Sequence, residues 1–118
     1  MSDQRKANLL HENAMSEILG KWQQPQGEIF PGWYIEFHPD GTYKSAYEEM
    51  GISSSGTYAV SEGTIDLEQT EHSLGLLGTF LGLYTLEGDI LTLTLGDPAH
   101  PRPESLEGKN KQLYKKVA

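Results

Sequence analysis

Histidine and serine are the residues of this chain most able to do chemistry, and their spacing is the first test of whether they do. His11, His38, His72 and His100 are scattered, with none of the i, i+2 or i, i+4 intervals that bring two imidazoles onto one metal. No cysteine is present, so a thiolate site is excluded and no metal is expected. His72 and His100 leave two readings open, a single axial haem ligand or solvated loop histidines. Acyl transfer needs a nucleophile, a base and an orienting group. Ser53-Ser54-Ser55 supplies hydroxyls without a G-x-S-x-G context and reads as a flexible loop. Glu48-Glu49 and the Asp66/Glu68 pair are explained by solvation at a strand end and on an outer strand face. Gly75 and Gly78 lack the strand-to-helix setting of a phosphate loop. No catalytic residue and no cofactor is therefore assigned. An isomerase or hydrolase would need an ionisable group pointing inward, and a loop residue such as His72 is the nearest to one.

Tyrosines and one arginine are more suggestive. Period-two spacing puts Trp33, Tyr43, Tyr47, Tyr58 and Tyr84 on the same face as Ile35, Phe37, Val60, Ile65, Leu67, Leu86, Leu91 and Leu93. Buried tyrosines need partners for their hydroxyls. They either satisfy one another in a filled core or line a cavity for a ligand with apolar and polar parts. Arg102, within His-Pro-Arg-Pro-Glu, is read as an anchor for a ligand carboxylate or as one half of a plain salt bridge.

These residues are positioned by strands. The turn residues Gly, Asp, Asn and Pro recur every eight to twelve positions from Lys21 onward, the signature of an all-β meander. Tight turns at Pro39-Asp40-Gly41, Glu62-Gly63 and Gly88-Asp89 alternate with long connections at 24–32, 48–55, 70–79 and 96–111. Consecutive loops of an up-and-down sheet lie at opposite ends, so the long ones share one rim and the tight ones the other. A three-residue loop at Gly41 sets Phe37 against Tyr43, Ile35 against Ser45, Trp33 against Tyr47 and Glu36 against Lys44. Two-residue loops set Val60 against Ile65 and Tyr58 against Leu67, then Leu86 against Leu91 and Tyr84 against Leu93. The expected strands are 20–24, 33–38, 42–47, 56–61, 64–69, 79–87, 90–95 and 112–117. Eight strands close into an antiparallel barrel that is filled by side chains or holds one small ligand. Leu10, Ala14, Met15, Ile18 and Leu19 stand at helical spacing, which predicts an N-terminal helix over 1–19 that closes the tight-turn end. The whole is a single domain, with the barrel over 20–118.

Gly20-Lys21-Trp22 after a helical segment resembles the lipocalin entry motif. The run Glu36-Phe37-x-x-Asp40-Gly41-Thr42-Tyr43, then Gly56-Thr57-Tyr58, then Gly82-x-Tyr84-x-Leu86-x-Gly88-Asp89-x-Leu91-x-Leu93, then Arg102-Pro103, is similar in order and spacing to small bacterial lipocalin-like (calycin) domains. The resemblance covers about residues 18 to 117. It implies that Trp22 covers the closed end and packs against a basic side chain of the last strand, Lys115 or Lys116. The middle lipocalin motif, the disulfides and the C-terminal helix of secreted members are missing, which argues against extracellular transport.

Charge narrows the partners. The chain has 118 residues and a net charge of −8, and residues 20–96 carry two basic and eleven acidic side chains. Such a body repels phosphate backbones, so no nucleic acid is expected. The first residues are too polar for a signal peptide, and no stretch approaches a membrane span. A cytoplasmic protein without a membrane partner is expected. The function that follows is non-enzymatic binding of a small, mostly apolar molecule, with Trp33, Tyr43, Tyr47, Tyr58, Tyr84 and Arg102 as its contacts. The alternative is a protein-interaction or homo-oligomerising module that uses apolar rim residues such as Leu74, Leu76 and Leu77 around a filled barrel.

Overall fold

A computed structural model describes residues 17–107 and 110–118. Eight strands run in chain order: β1 (Gly20–Gln23), β2 (Tyr34–Phe37), β3 (Thr42–Tyr47), β4 (Ile52–Ser61), β5 (Thr64–His72), β6 (Gly78–Glu87), β7 (Ile90–Leu95) and β8 (Lys111–Lys116). Each pairs antiparallel with its neighbour, and β8 returns to β1, so the barrel is closed. The hairpin registers follow the turn chemistry. Phe37 pairs with Tyr43 and Glu36 with Lys44, Val60 with Ile65 and Tyr58 with Leu67, and Leu86 with Leu91 and Tyr84 with Leu93.

The β2–β3 turn shows why. Gly41 has φ +87°, a conformation open mainly to glycine. Asp40 Oδ1 accepts from the Thr42 amide at 3.0 Å and the Thr42 hydroxyl at 2.6 Å, which locks the loop at three residues and with it the register of everything after. The inward positions of all eight strands then form one core around Trp22, Ile35, Phe37, Ile65, Leu91 and Leu93.

Two of the four expected long connections are shorter than their composition suggests. β4 begins at Ile52 and β5 continues to His72, so Ser53-Ser54-Ser55 is strand and not a loop. Ser53, Ser54 and Ser55 pair with Ala46, Ser45 and Lys44, and on their other side Ser54 and Ser55 pair with His72 and Glu71. Ladder hydrogen bonds hold this segment, and it has no apolar alternation for a sequence pattern to register. A bulge interrupts β5: Gly56 faces Gln69 and Ser55 faces Glu71, leaving Thr70 as the extra residue. Gly56 is required opposite it, since a Cβ there would lie 1.8 Å from the Glu68 carbonyl oxygen.

The tight-turn end is closed. Ile18 is fully buried, its carbonyl accepts from Trp22 Nε1 at 2.8 Å, and Trp22 is itself almost wholly buried. Glu17 and Ile18 have helical backbone. The rest of the helix expected over 1–19 lies outside the described residues, and among those described there is no α-helical element, only a 3-10 turn at Glu48–Met50. The β1–β8 seam carries just two strand pairs, Trp22 with Lys116 and Gln23 with Lys115. Beyond them Glu28 Oε1 accepts from the Leu113 amide at 2.8 Å, a side chain standing where a neighbouring strand would continue.

Candidate functional site

At the long-loop end the barrel is not filled. A cavity of about 240 Å³ opens between the loops, with walls from Ile35, Tyr43, Leu67, Phe80, Leu93 and Tyr114 and a mouth at Phe30, Trp33 and Leu76. Among the described residues no Asp, Glu, Lys or Arg lines it. The polar groups are Ser45, Ser54, Gln69, His72 and Gln112 beside the two tyrosines. An apolar hollow with a few convergent polar atoms is the usual form of a small-molecule site.

The mouth is aromatic. Trp33 stacks on Tyr47 with ring centroids 5.5 Å apart and planes 20° from parallel, and Phe30 lies 5.6 Å from Trp33 and 5.8 Å from Tyr47. Trp33 Nε1 donates to Ser45 Oγ at 2.7 Å, and that hydroxyl donates to the Tyr34 carbonyl at 2.9 Å. Indole orientation is thereby tied to the β2 backbone, so Trp33 is a fixed edge of the opening.

Inside, the Tyr114 hydroxyl donates to Gln112 Oε1 at 2.7 Å. Burial pushes its pKa up to about 12, opposed by a hydrogen bond from Gln24 that favours the phenolate. Tyr43 is also raised to about 12 by burial. Among the described residues its hydroxyl reaches only Gln69 Oε1, at 3.5 Å, well beyond an ordinary O–H···O separation. Both phenols are neutral donors at physiological pH. Gln69 Nε2 donates to the Leu76 carbonyl, tethering the β5–β6 loop to the cavity wall.

Of the residues assigned from sequence, Trp33 and Tyr43 line this cavity. Tyr47 backs Trp33, with its hydroxyl on Glu49 at 3.0 Å. Tyr58 and Tyr84 are buried at the other, closed end: the Tyr58 hydroxyl donates to the His38 carbonyl at 2.9 Å, and the Tyr84 amide bonds Gly63 of the β4–β5 turn. They point inward as expected, yet Phe37, whose ring centroid is 4.8 Å from that of Tyr58, and the rest of the core separate them from the hollow. Arg102 is not at the mouth. The β7–β8 connection folds down the outside of the barrel, where Arg102 pairs with Asp66 at 2.7 Å and donates to the Gly82 and Ile65 carbonyls at 2.8 and 3.3 Å. Its role in place is to hold that loop on β5 and β6.

Gln69, Gln112, Tyr114 and Phe80 are cavity residues that the sequence reading did not single out. Tyr114 and Gln112 sit on β8, which is joined to the meander only by a long connection, so no tight turn sets their register. His72 enters the wall through the bulge. Leu67 and Gln69 face in, the extra residue Thr70 shifts the phase, and His72 rather than Glu71 takes the next inward position. Its Nδ1 accepts from the Leu74 amide at 3.0 Å, which leaves the proton of the neutral ring on Nε2.

Among the described residues no group of three or more His, Asp or Glu is placed to hold a metal, and no helix is long and apolar enough to cross a membrane. Fold and site together define a closed eight-stranded up-and-down barrel, sealed at one end and hollow at the other. No family model, no curated protein and no solved structure matches the chain.

Proposed function

We propose that this chain is a lipocalin-like binding module, working in the cytoplasm without covalent chemistry, that takes a small, mostly apolar molecule into the barrel cavity. The observation that carries the reading is the hollow of about 240 Å³ behind Trp33 and Phe30, apolar in most of its wall and, among the described residues, lined by no charged side chain. The lipocalin likeness is supported at the sealed end, where the Lys116 ammonium lies 5.3 Å from the Trp22 ring centroid, a cation–π arrangement.

Titration with naphthalene, a neutral apolar molecule that brings no hydrogen-bond donor, followed by amide chemical shifts, tests the reading. Saturable binding is expected, abolished by Leu95→Trp, which puts an indole into the cavity that Leu95 lines, and unaffected by Tyr58→Phe or Tyr84→Phe at the closed end. Absence of saturable binding, or binding indifferent to Leu95→Trp in a variant with native circular dichroism, overturns it.

A second reading rests on the rim. Ile29, Met50, Leu74, Leu76 and Leu77 are 57–76% exposed around the mouth, an apolar grouping of the kind that marks association sites. It would dock a second copy of the chain, mouth against mouth. Sedimentation decides: a dimer that dissociates in Leu76→Asp supports it, and a wild-type monomer at high concentration ends it.

A further inference from the structure

The hydrogen-bonding capacity left over in the cavity leans toward donors. Tyr114 donates its proton to Gln112 Oε1, which orients that amide and leaves Nε2 without a partner among the described residues. His72 accepts the Leu74 amide at Nδ1 and so presents Nε2–H. Among the described residues the Tyr43 hydroxyl has only its 3.5 Å contact with Gln69. Two donors without a partner, Gln112 Nε2 and His72 Nε2–H, therefore belong to the wall of one hollow, the long Tyr43–Gln69 pair can yield its hydroxyl to an incoming acceptor, and Ser54 adds a hydroxyl that serves either way, while Gln112 Oε1 and His72 Nδ1 are engaged. Among the described residues no lysine, arginine or carboxylate stands on the wall. An anion would enter without a countercharge, and a cation would meet donors that repel it. A buried donor left unmatched costs more than a matched one returns, so the site discriminates for acceptors.

Resting on the cavity-binding reading above, we infer that the ligand is a neutral molecule with an apolar body and an acceptor oxygen but no need of an acceptor from the protein: a ketone, ester, lactone or tertiary amide. The oxygen sits between Tyr43 and Gln112, with His72 Nε2–H available to a second acceptor nearer the mouth, and the apolar body lies on Leu67, Phe80 and Leu93.

Three probes of one size separate the possibilities: ethylbenzene, acetophenone and benzoate, titrated into the full-length ¹⁵N-labelled protein and followed by amide shifts. Acetophenone is expected to bind about tenfold tighter than ethylbenzene, the return on one to two neutral hydrogen bonds, with benzoate weakest and with the Gln112 side-chain NH₂ resonances moving only for acetophenone. Gln112→Leu and Tyr43→Phe are expected to bring acetophenone to the ethylbenzene level and leave ethylbenzene unchanged. Ethylbenzene binding as tightly as acetophenone, or benzoate binding tightest, overturns the ligand class while the cavity reading stands. If none of the three binds, both fall.

Discussion

Truncating Arg102 should damage the fold and spare the cavity. Its guanidinium makes one good hydrogen bond, 2.8 Å to the Gly82 carbonyl, one long bond of 3.3 Å to the Ile65 carbonyl, and an ion pair of 2.7 Å with Asp66. A charged donor on a backbone carbonyl contributes about 1.5 kcal/mol, and the longer bond less. The ion pair is discounted, because Arg102 and Asp66 side chains are 31% and 42% exposed and such pairs yield roughly 0.2–1 kcal/mol after screening. Arg102→Ala is thus expected to cost about 2 kcal/mol. With a urea m-value of about 2 kcal/mol/M for a chain of this size, the midpoint falls by about 1 M. Arg102→Lys keeps a charge for Asp66 without the planar fork, and should recover less than half. In both variants the affinity for acetophenone stays at the wild-type value. A midpoint shift below about 0.3 M would refute the structural role, and a loss of affinity without loss of stability would return Arg102 to the binding site.

Gly56→Ala places a Cβ 1.8 Å from the Glu68 carbonyl oxygen. Backbone must move to admit it, and a loss of at least about 3 kcal/mol is expected in urea melts; a stable variant would mean that β4 and β5 do not approach this closely at the bulge. Glu28→Ala removes the acceptor of the Leu113 amide, and native-state exchange of that amide should quicken by about tenfold, with the Leu93 amide as an unaffected reference; equal protection in both proteins argues against the side-chain patch on the seam. Alkaline stability follows from the phenols. Burial raises Tyr43 and Tyr114 to about 12 in the folded chain against about 10 unfolded. The folded state therefore holds more protons than the unfolded one between pH 10 and 12, so the stability is complete below pH 10 and lost as pH rises through 12. Tyrosinate absorbance should show these two residues ionising together with loss of the folded signal, whereas simple titration near pH 10 with unchanged circular dichroism would contradict their burial.

How much of this was legible beforehand depends on what connects each strand. The three hairpins closed by Gly41, Gly63 and Gly88 could be registered from sequence, because turn length dictates which residues face each other and an incorrect choice would set Phe37 against Lys44. Inward placement of Trp33, Tyr43, Tyr47, Tyr58 and Tyr84 followed at once. Depth along the barrel axis did not, since period-two alternation states the face and is silent about the level. Tyr58 and Tyr43 lie on paired strands and the same face, yet one packs on Phe37 at the sealed end and the other borders the hollow. Arg102 was misplaced for a related reason. A long connection has a known starting rim and an unknown path, and its proline-rich run lies along the outer wall to reach Asp66.

The bulge at Thr70 is where the local sequence and the character of the site meet. Uninterrupted alternation from Leu67 and Gln69 would carry Glu71 inward and put a carboxylate at the mouth of an apolar hollow, where desolvation penalises the charged form. The bulge inserts one residue, so Glu71 falls on the outer face, exposed, and His72 takes the inner position. An imidazole whose Nδ1 is taken by the Leu74 amide thus stands where a carboxylate would. The same shift needs Gly56 opposite it, because the β5 carbonyl of Glu68 comes too close for any side chain. Bulge, glycine and histidine therefore act as one device. Together with the oriented Gln112, they make the wall donor-rich and uncharged, in a chain whose body is otherwise strongly acidic.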